Sequence, residues 1–99
     1  MEHHVYFWLK DEVKSDEERA AFEKGLDSLF TIDLVKGGLW SVPAKVMDRP
    51  VIDQSWDYAL SMKFDSVEDH DAYQVVPVHN AFIEAHRDRW EKVEVKDLA

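Results

Sequence analysis

The segment Tyr73-Gln74-Val75-Val76-Pro77-Val78-His79 puts a phenol and an imidazole on either side of a proline-initiated helix start. Proline lacks a backbone N–H and fixes φ, so it suits the first turn of a new helix and bars the preceding one from running through. A Tyr before such a break and a His after it can meet across the bend. An imidazole titrates near neutral pH and can take a proton from an acidic carbon, while a phenol can donate a hydrogen bond to the oxyanion that forms. Together they would serve enolisation, isomerisation or aldol chemistry on a carbonyl compound. The same pair would equally anchor the bend by hydrogen bonding, and the residues alone favour that plainer role.

The remaining polar residues narrow the chemistry. Five histidines stand at positions 3, 4, 70, 79 and 86. His79 and His86 share a helical face but lie two turns apart, too far for a metal pair of the i, i+4 type. His3 and His4 open the first strand, so one turns toward the helices and the other away. His86, on a face with Phe82 and Trp90, reads as a core or interface residue. The acidic run from Asp65 to Asp71 lacks the alternating ligand spacing of a calcium loop and reads as a solvated first helical turn. No HExxH, Gly-rich phosphate loop or GxSxG elbow occurs, so no cofactor and no side-chain metal site is expected. Cysteine is absent, which removes thiol chemistry and suits a reducing cytosol.

These residues need elements to hold them. His3–Lys10 alternates as a strand, with Val5, Phe7 and Leu9 on one face and Tyr6 and Trp8 on the other. Ser15 followed three residues on by Glu18 fits a capping box, and Phe22, Leu26, Leu29 and Phe30 recur with helical spacing, predicting a helix over 15–30. Gly37-Gly38 breaks the pattern before a second strand over 39–46. The clearest alternation runs from Ser55 to Phe64, with Trp56, Tyr58, Leu60, Met62 and Phe64 on one side. Ser66 with Asp69 opens a helix to about Gln74, Pro77 starts another to about Trp90, and Glu91–Asp97 closes as a strand with Val93 and Val95 inward.

The order β-α-β-β-α-β is the ferredoxin-like α+β pattern, a four-stranded antiparallel sheet with its helices on one face. The other face lacks cover. If Tyr6 and Trp8, or the row from Trp56 to Phe64, lie there, a monomer exposes an apolar patch large enough to favour a homodimer through that face.

The chain has 99 residues, room for one domain over 1–99, and 45% apolar content with four Trp, enough for a core without disulfides. A net charge of −9 repels polyanions, so nucleic acid is not an expected partner. The N-terminal apolar run is too short and too interrupted for a signal peptide or membrane span, so a soluble cytoplasmic protein is the default.

The run His4-Val5 through Leu9-Lys10, Trp40, Trp56-Asp57-Tyr58, Phe64-x-Ser66-x-Glu68, Tyr73-x-x-x-Pro77-x-His79-x-x-Phe82 and Trp90 resembles the stress-responsive dimeric A/B barrel domain family over nearly the whole chain. The resemblance implies a ferredoxin-like protomer paired sheet to sheet with its twin as a dimeric α/β barrel. Members include plant stress-responsive proteins without an assigned reaction and olivetolic acid cyclase, a polyketide cyclase. The cyclase's catalytic Tyr and His match Tyr73 and His79, and its N-terminal strand His is matched here to His4. Two expectations follow: a homodimeric binding protein whose cavity holds a small apolar or aromatic ligand, or a cofactor-free cyclase or isomerase with His79 as base, Tyr73 as oxyanion partner and His4 in support.

Overall fold

Alternation in the first strand decides which side of the sheet becomes the core. In the computed structural model, which describes residues 1–99, β1 (Glu2–Leu9) buries every second side chain: His3, Val5, Phe7 and Leu9. β1 pairs antiparallel with β3 (Tyr58–Lys63) on one side and β4 (Trp90–Leu98) on the other, and β2 (Gly37–Ser41) adds to β3, giving the order β2-β3-β1-β4. Three helices, α1 (Asp16–Leu29), α2 (Val67–Tyr73) and α3 (Pro77–His86), complete the ferredoxin-like architecture.

Two of the helices, α1 and α2, begin at capping serines. Ser15 Oγ accepts from the Glu18 N–H at 3.2 Å, and Asp16, Glu17 and Glu18 set three carboxylates against the positive end of α1. Ser66 Oγ does the same for the Asp69 N–H of α2 at 3.1 Å. Phe22, Leu26 and Leu29 of α1 pack onto Phe7, Tyr58, Leu60 and Met62 of the sheet, with Phe64, Tyr73 and Phe82 closing the core. Gly38, at φ 117°, lets β2 close on β3 where a Cβ would stand 1.8 Å from the Ser61 carbonyl oxygen.

Several boundaries differ from the sequence reading. β2 stops at Ser41, β3 starts at Tyr58, and the segment between them forms neither helix nor strand. α3 ends at His86 in a short 3-10 turn over Arg87–Arg89, so Trp90 opens β4 rather than closing the helix. The row expected from Trp56 to Phe64 also divides. Tyr58, Leu60, Met62 and Phe64 are buried beneath the helices, whereas Trp56 meets Tyr6 edge to face at 5.5 Å on the opposite side of the sheet. The strand alternation does not reach Trp56, because the chain turns away just before β3: the Asp57 N–H still donates to the Phe7 carbonyl, but the Trp56 indole folds back to the Asp53 carbonyl.

The open face therefore carries Tyr6, Trp8 and Trp56, with Asp53, Gln54, Glu94 and Lys96 around them. The Trp8 indole donates to Ser55 Oγ, and Lys92 Nζ lies 4.4 Å from its ring centroid. Val93 and Val95 point to the helix side, opposite Phe7 and Val5 in register, but remain substantially exposed because β4 is an edge strand.

Candidate small-molecule site

A Pro at position 77 removes one helical donor and sets its ring against the carbonyl of Tyr73, four residues back, so one continuous helix cannot span 67–86. The chain breaks there. The Val76 N–H closes on the Tyr73 carbonyl at 3.2 Å, and the Asn80 N–H reaches the Val76 carbonyl at 3.1 Å to start α3. Tyr73 is thus the last residue of α2 and His79 lies in the first turn of α3. Their rings meet across the corner, edge to face, with centroids 4.7 Å apart.

The corner forms one wall of a cavity of about 180 Å³ between the helices and the sheet. Val5, Phe7 and Leu60 supply its floor, Phe82 and Ile83 its helical side, and Val93 and Val95 its edge, while His3, Tyr73, Gln74, His79 and Asp97 contribute the polar atoms. A few polar groups converging in an apolar cleft is the usual composition of a small-molecule site. A dry cavity of about 150 Å³ is enough to hold benzene, so the space suits a single ring or a short acyl chain.

Each polar wall group has a definite electrostatic character. Tyr73 is 1% exposed, and burial raises its pKa well beyond the ordinary phenol value, so it remains a neutral O–H donor. The His79 pKa is lowered, chiefly by burial, and its buried Nδ1 makes no hydrogen bond within the protein. His3 is lowered by burial too, with Asp97 opposing the shift through a 2.5 Å contact from His3 Nδ1 to Asp97 Oδ1. Near neutral pH the cavity thus holds a phenol donor and uncharged imidazoles able to accept a proton.

The structure brings Tyr73 and His79 together but does not bring His4 to them. Strand parity sends His4 to the open face of the sheet, where its Nε2 lies 3.5 Å from Glu2 Oε1. The residue of β1 that enters the cavity is His3, whose ring centroid is 6.1 Å from that of Tyr73. The signal was present in the sequence, since His3 shares parity with Val5, Phe7 and Leu9, and Asp97 shares it with Val93 and Val95. Gln74 carried no such signal, because its approach depends on the corner between α2 and α3. His86 is a core residue, held edge to face by Phe22 and at a tilt by Phe82, as its helical face suggested.

The sequence profile of the Stress Responsive A/B Barrel Domain matches residues 1–99. The chain belongs to that family. Comparison with curated proteins yields no match. Among solved structures, an Arabidopsis thaliana protein superposes with TM-score 0.83 at 24% identity, covering 99% of this chain and 92% of its own. A dimeric ferredoxin-like protein from Thermobifida fusca gives TM-score 0.79 at 19% identity over 99% and 88% of the two chains. A hydroxynitrile lyase from Passiflora edulis gives TM-score 0.77 at 19% identity over 96% and 87%. At these identities the likeness establishes the shared fold of this A/B barrel domain. No helix of the domain is long and apolar enough to cross a membrane.

Proposed function

We propose that this A/B barrel domain is a homodimeric cytoplasmic protein that binds a small apolar or aromatic ligand in the cavity beside Tyr73 and His79. The observation that carries the reading is the cavity itself, apolar on most of its surface with a phenol and an imidazole side by side on one wall. The Tyr73 hydroxyl would donate to a ligand carbonyl or phenolate, and the neutral His79 imidazole beside it would accept or donate at the neighbouring position. Pairing through the open sheet face is supported by the Tyr6, Trp8 and Trp56 aromatics there and by the dimeric state of the Thermobifida fusca neighbour. The absence of cysteine fits a reducing compartment.

A second reading, cofactor-free proton transfer as in a cyclase or isomerase, is favoured by the neutral state that burial imposes on His79 and by its position next to a phenol donor. The Passiflora edulis neighbour is an enzyme with this fold, though at 19% identity it lends the architecture and not the reaction.

The test is a thermal-shift screen with phenolic and β-diketone compounds on wild type and on the Tyr73→Phe/His79→Ala double variant. A ligand present at 100 times its Kd should stabilise wild type by about 2.7 kcal/mol, an effect lost in the double variant. Absence of stabilisation by any compound, or stabilisation that survives both substitutions, would remove the cavity from the functional account. For any compound that binds, loss of turnover in His79→Ala with binding retained would support the second reading.

A further inference from the structure

At the edge of the cavity three potential donor atoms converge, two of them on the cavity-lining residues His3 and Asp97, which the proposed contacts to the ligand leave unused. His3 on β1 and Asp97 on β4 are directly opposite in the antiparallel register, and His70 of α2 lies over them. His3 Nδ1 is 2.5 Å from Asp97 Oδ1 and 3.2 Å from His70 Nε2, and His70 Nε2 is 3.7 Å from Asp97 Oδ1. All three atoms lie within 4.8 Å of one another. Both histidines are buried, while Asp97 is open to solvent.

We propose that His3, His70 and Asp97 form a site for a borderline divalent cation of the Zn²⁺ class. Metal–nitrogen and metal–oxygen bonds of about 2.0–2.2 Å in a tetrahedron place neighbouring donor atoms roughly 3.4 Å apart. Two of the three separations, 3.2 and 3.7 Å, already bracket that value. The third, 2.5 Å, opens when the half-exposed Asp97 side chain moves by about 1 Å to admit the ion.

The surroundings of His70 prepare it as a ligand. Asp71 Oδ1 lies 3.1 Å from His70 Nδ1, so the carboxylate holds the proton on that nitrogen and leaves a lone pair on Nε2. Gln74 Nε2, which can only donate, sits 3.0 Å from His70 Nε2 and fits the same tautomer. Turning the Gln74 amide over would bring its oxygen to the ion as a fourth donor.

Access and selectivity follow from the same geometry. A surface depression of about 240 Å³, lined by His70, Asp71, Asp97 and the C-terminal residues, meets the cluster from the solvent side. Two imidazoles and one carboxylate select a borderline ion over Mg²⁺ or Ca²⁺, which take mainly oxygen donors. The chain's net charge of −9 raises the local concentration of cations. The inference stands independently of whether the cavity binds an organic ligand.

The experiment is titration of the untagged, chelator-stripped protein with Zn²⁺ by calorimetry, and with Co²⁺ by visible absorption. One ion should bind per chain, with the intense bands of a four-coordinate Co²⁺ site, and Mg²⁺ should not compete. Asp71→Asn should weaken Zn²⁺ binding by roughly 10–100-fold, the usual effect of removing an orienting partner, and His70→Ala and Asp97→Asn should weaken it by more. His4→Gln, on the far face, should leave it unchanged. Wild type without saturable binding, or binding that persists in folded His70→Ala protein, would overturn the site. Should His70→Ala fail to fold, undiminished binding by Asp97→Asn, an exposed substitution, overturns it instead.

Discussion

Gly25 lies in the middle of α1 where that helix touches α3, and replacing it by alanine tests how the helix that carries His79 is seated. A Cβ there would stand 2.4 Å from His86 Nε2, against an ordinary van der Waals contact of 3.4 Å or more. The His86 ring must therefore retreat by about 1 Å to restore ordinary contact. It has little freedom to do so, because Phe22 and Phe82 hold it with ring centroids at 5.5 and 5.1 Å and only 9% of the residue is exposed. Overpacking of this kind costs about 1–3 kcal/mol, and exchanging a helix-interior Gly for Ala returns about 1 kcal/mol. The expected net effect of Gly25→Ala is a loss of about 1 kcal/mol, which lowers Tm by roughly 4–8 °C in a domain of this size. In a His86→Ala background the obstruction is gone, and the same substitution should stabilise by about 1 kcal/mol. Urea unfolding of the two single variants and the double variant closes the cycle, with a coupling energy of about 2 kcal/mol. If Gly25→Ala stabilises the wild-type background as much as it stabilises the His86→Ala protein, the close approach of α1 to His86 does not limit the packing, and the reasoning fails.

Trp8→Glu places a charge on the open sheet face while leaving the core untouched, so it should convert the proposed dimer to a folded monomer. Light scattering with circular dichroism reads both properties, and an unchanged dimer mass would move the interface elsewhere. Tyr58 and Leu60 cannot serve for this test, since both are buried beneath the helices. Stability should also depend on pH. The pKa values of His3, His79 and His86 are lowered in the folded protein, chiefly by burial, so below about pH 6.5 the unfolded chain binds protons that the folded chain does not. Denaturant unfolding with a chelator present should show a plateau above about pH 7 and a loss beginning near pH 6.5, steepening to at most about 1.4 kcal/mol per pH unit for each histidine. Stability that rises on acidification across that window would contradict the burial of neutral imidazoles.

Local sequence determined much of the architecture because the signals involved are short-range. The Ser15 and Ser66 caps, the spacing of Phe22, Leu26 and Leu29, and the alternation from Tyr58 to Phe64 each depend on neighbours within a turn or a pleat, and each appears where the pattern placed it. Pro77 likewise fixed the break between α2 and α3, and with it the meeting of Tyr73 and His79, because a ring clash with the carbonyl four residues back needs no tertiary partner.

Tertiary structure decided what depends on strand register and on the ends of elements. Trp56 looks from its alternation like a partner of Tyr58, yet the chain leaves the ladder just before β3 and folds its indole onto the opposite face. Trp90 continues the helical spacing of Phe82 and His86 but begins β4, where it still stacks on Phe82 at 5.9 Å. His3 and His4 differ by one residue, and the parity of β1 sends one into the cavity and the other to the far face. His70 joins His3 and Asp97 across sequence separations of 67 and 27 positions, a meeting of one helix and two strands that only the packed fold creates.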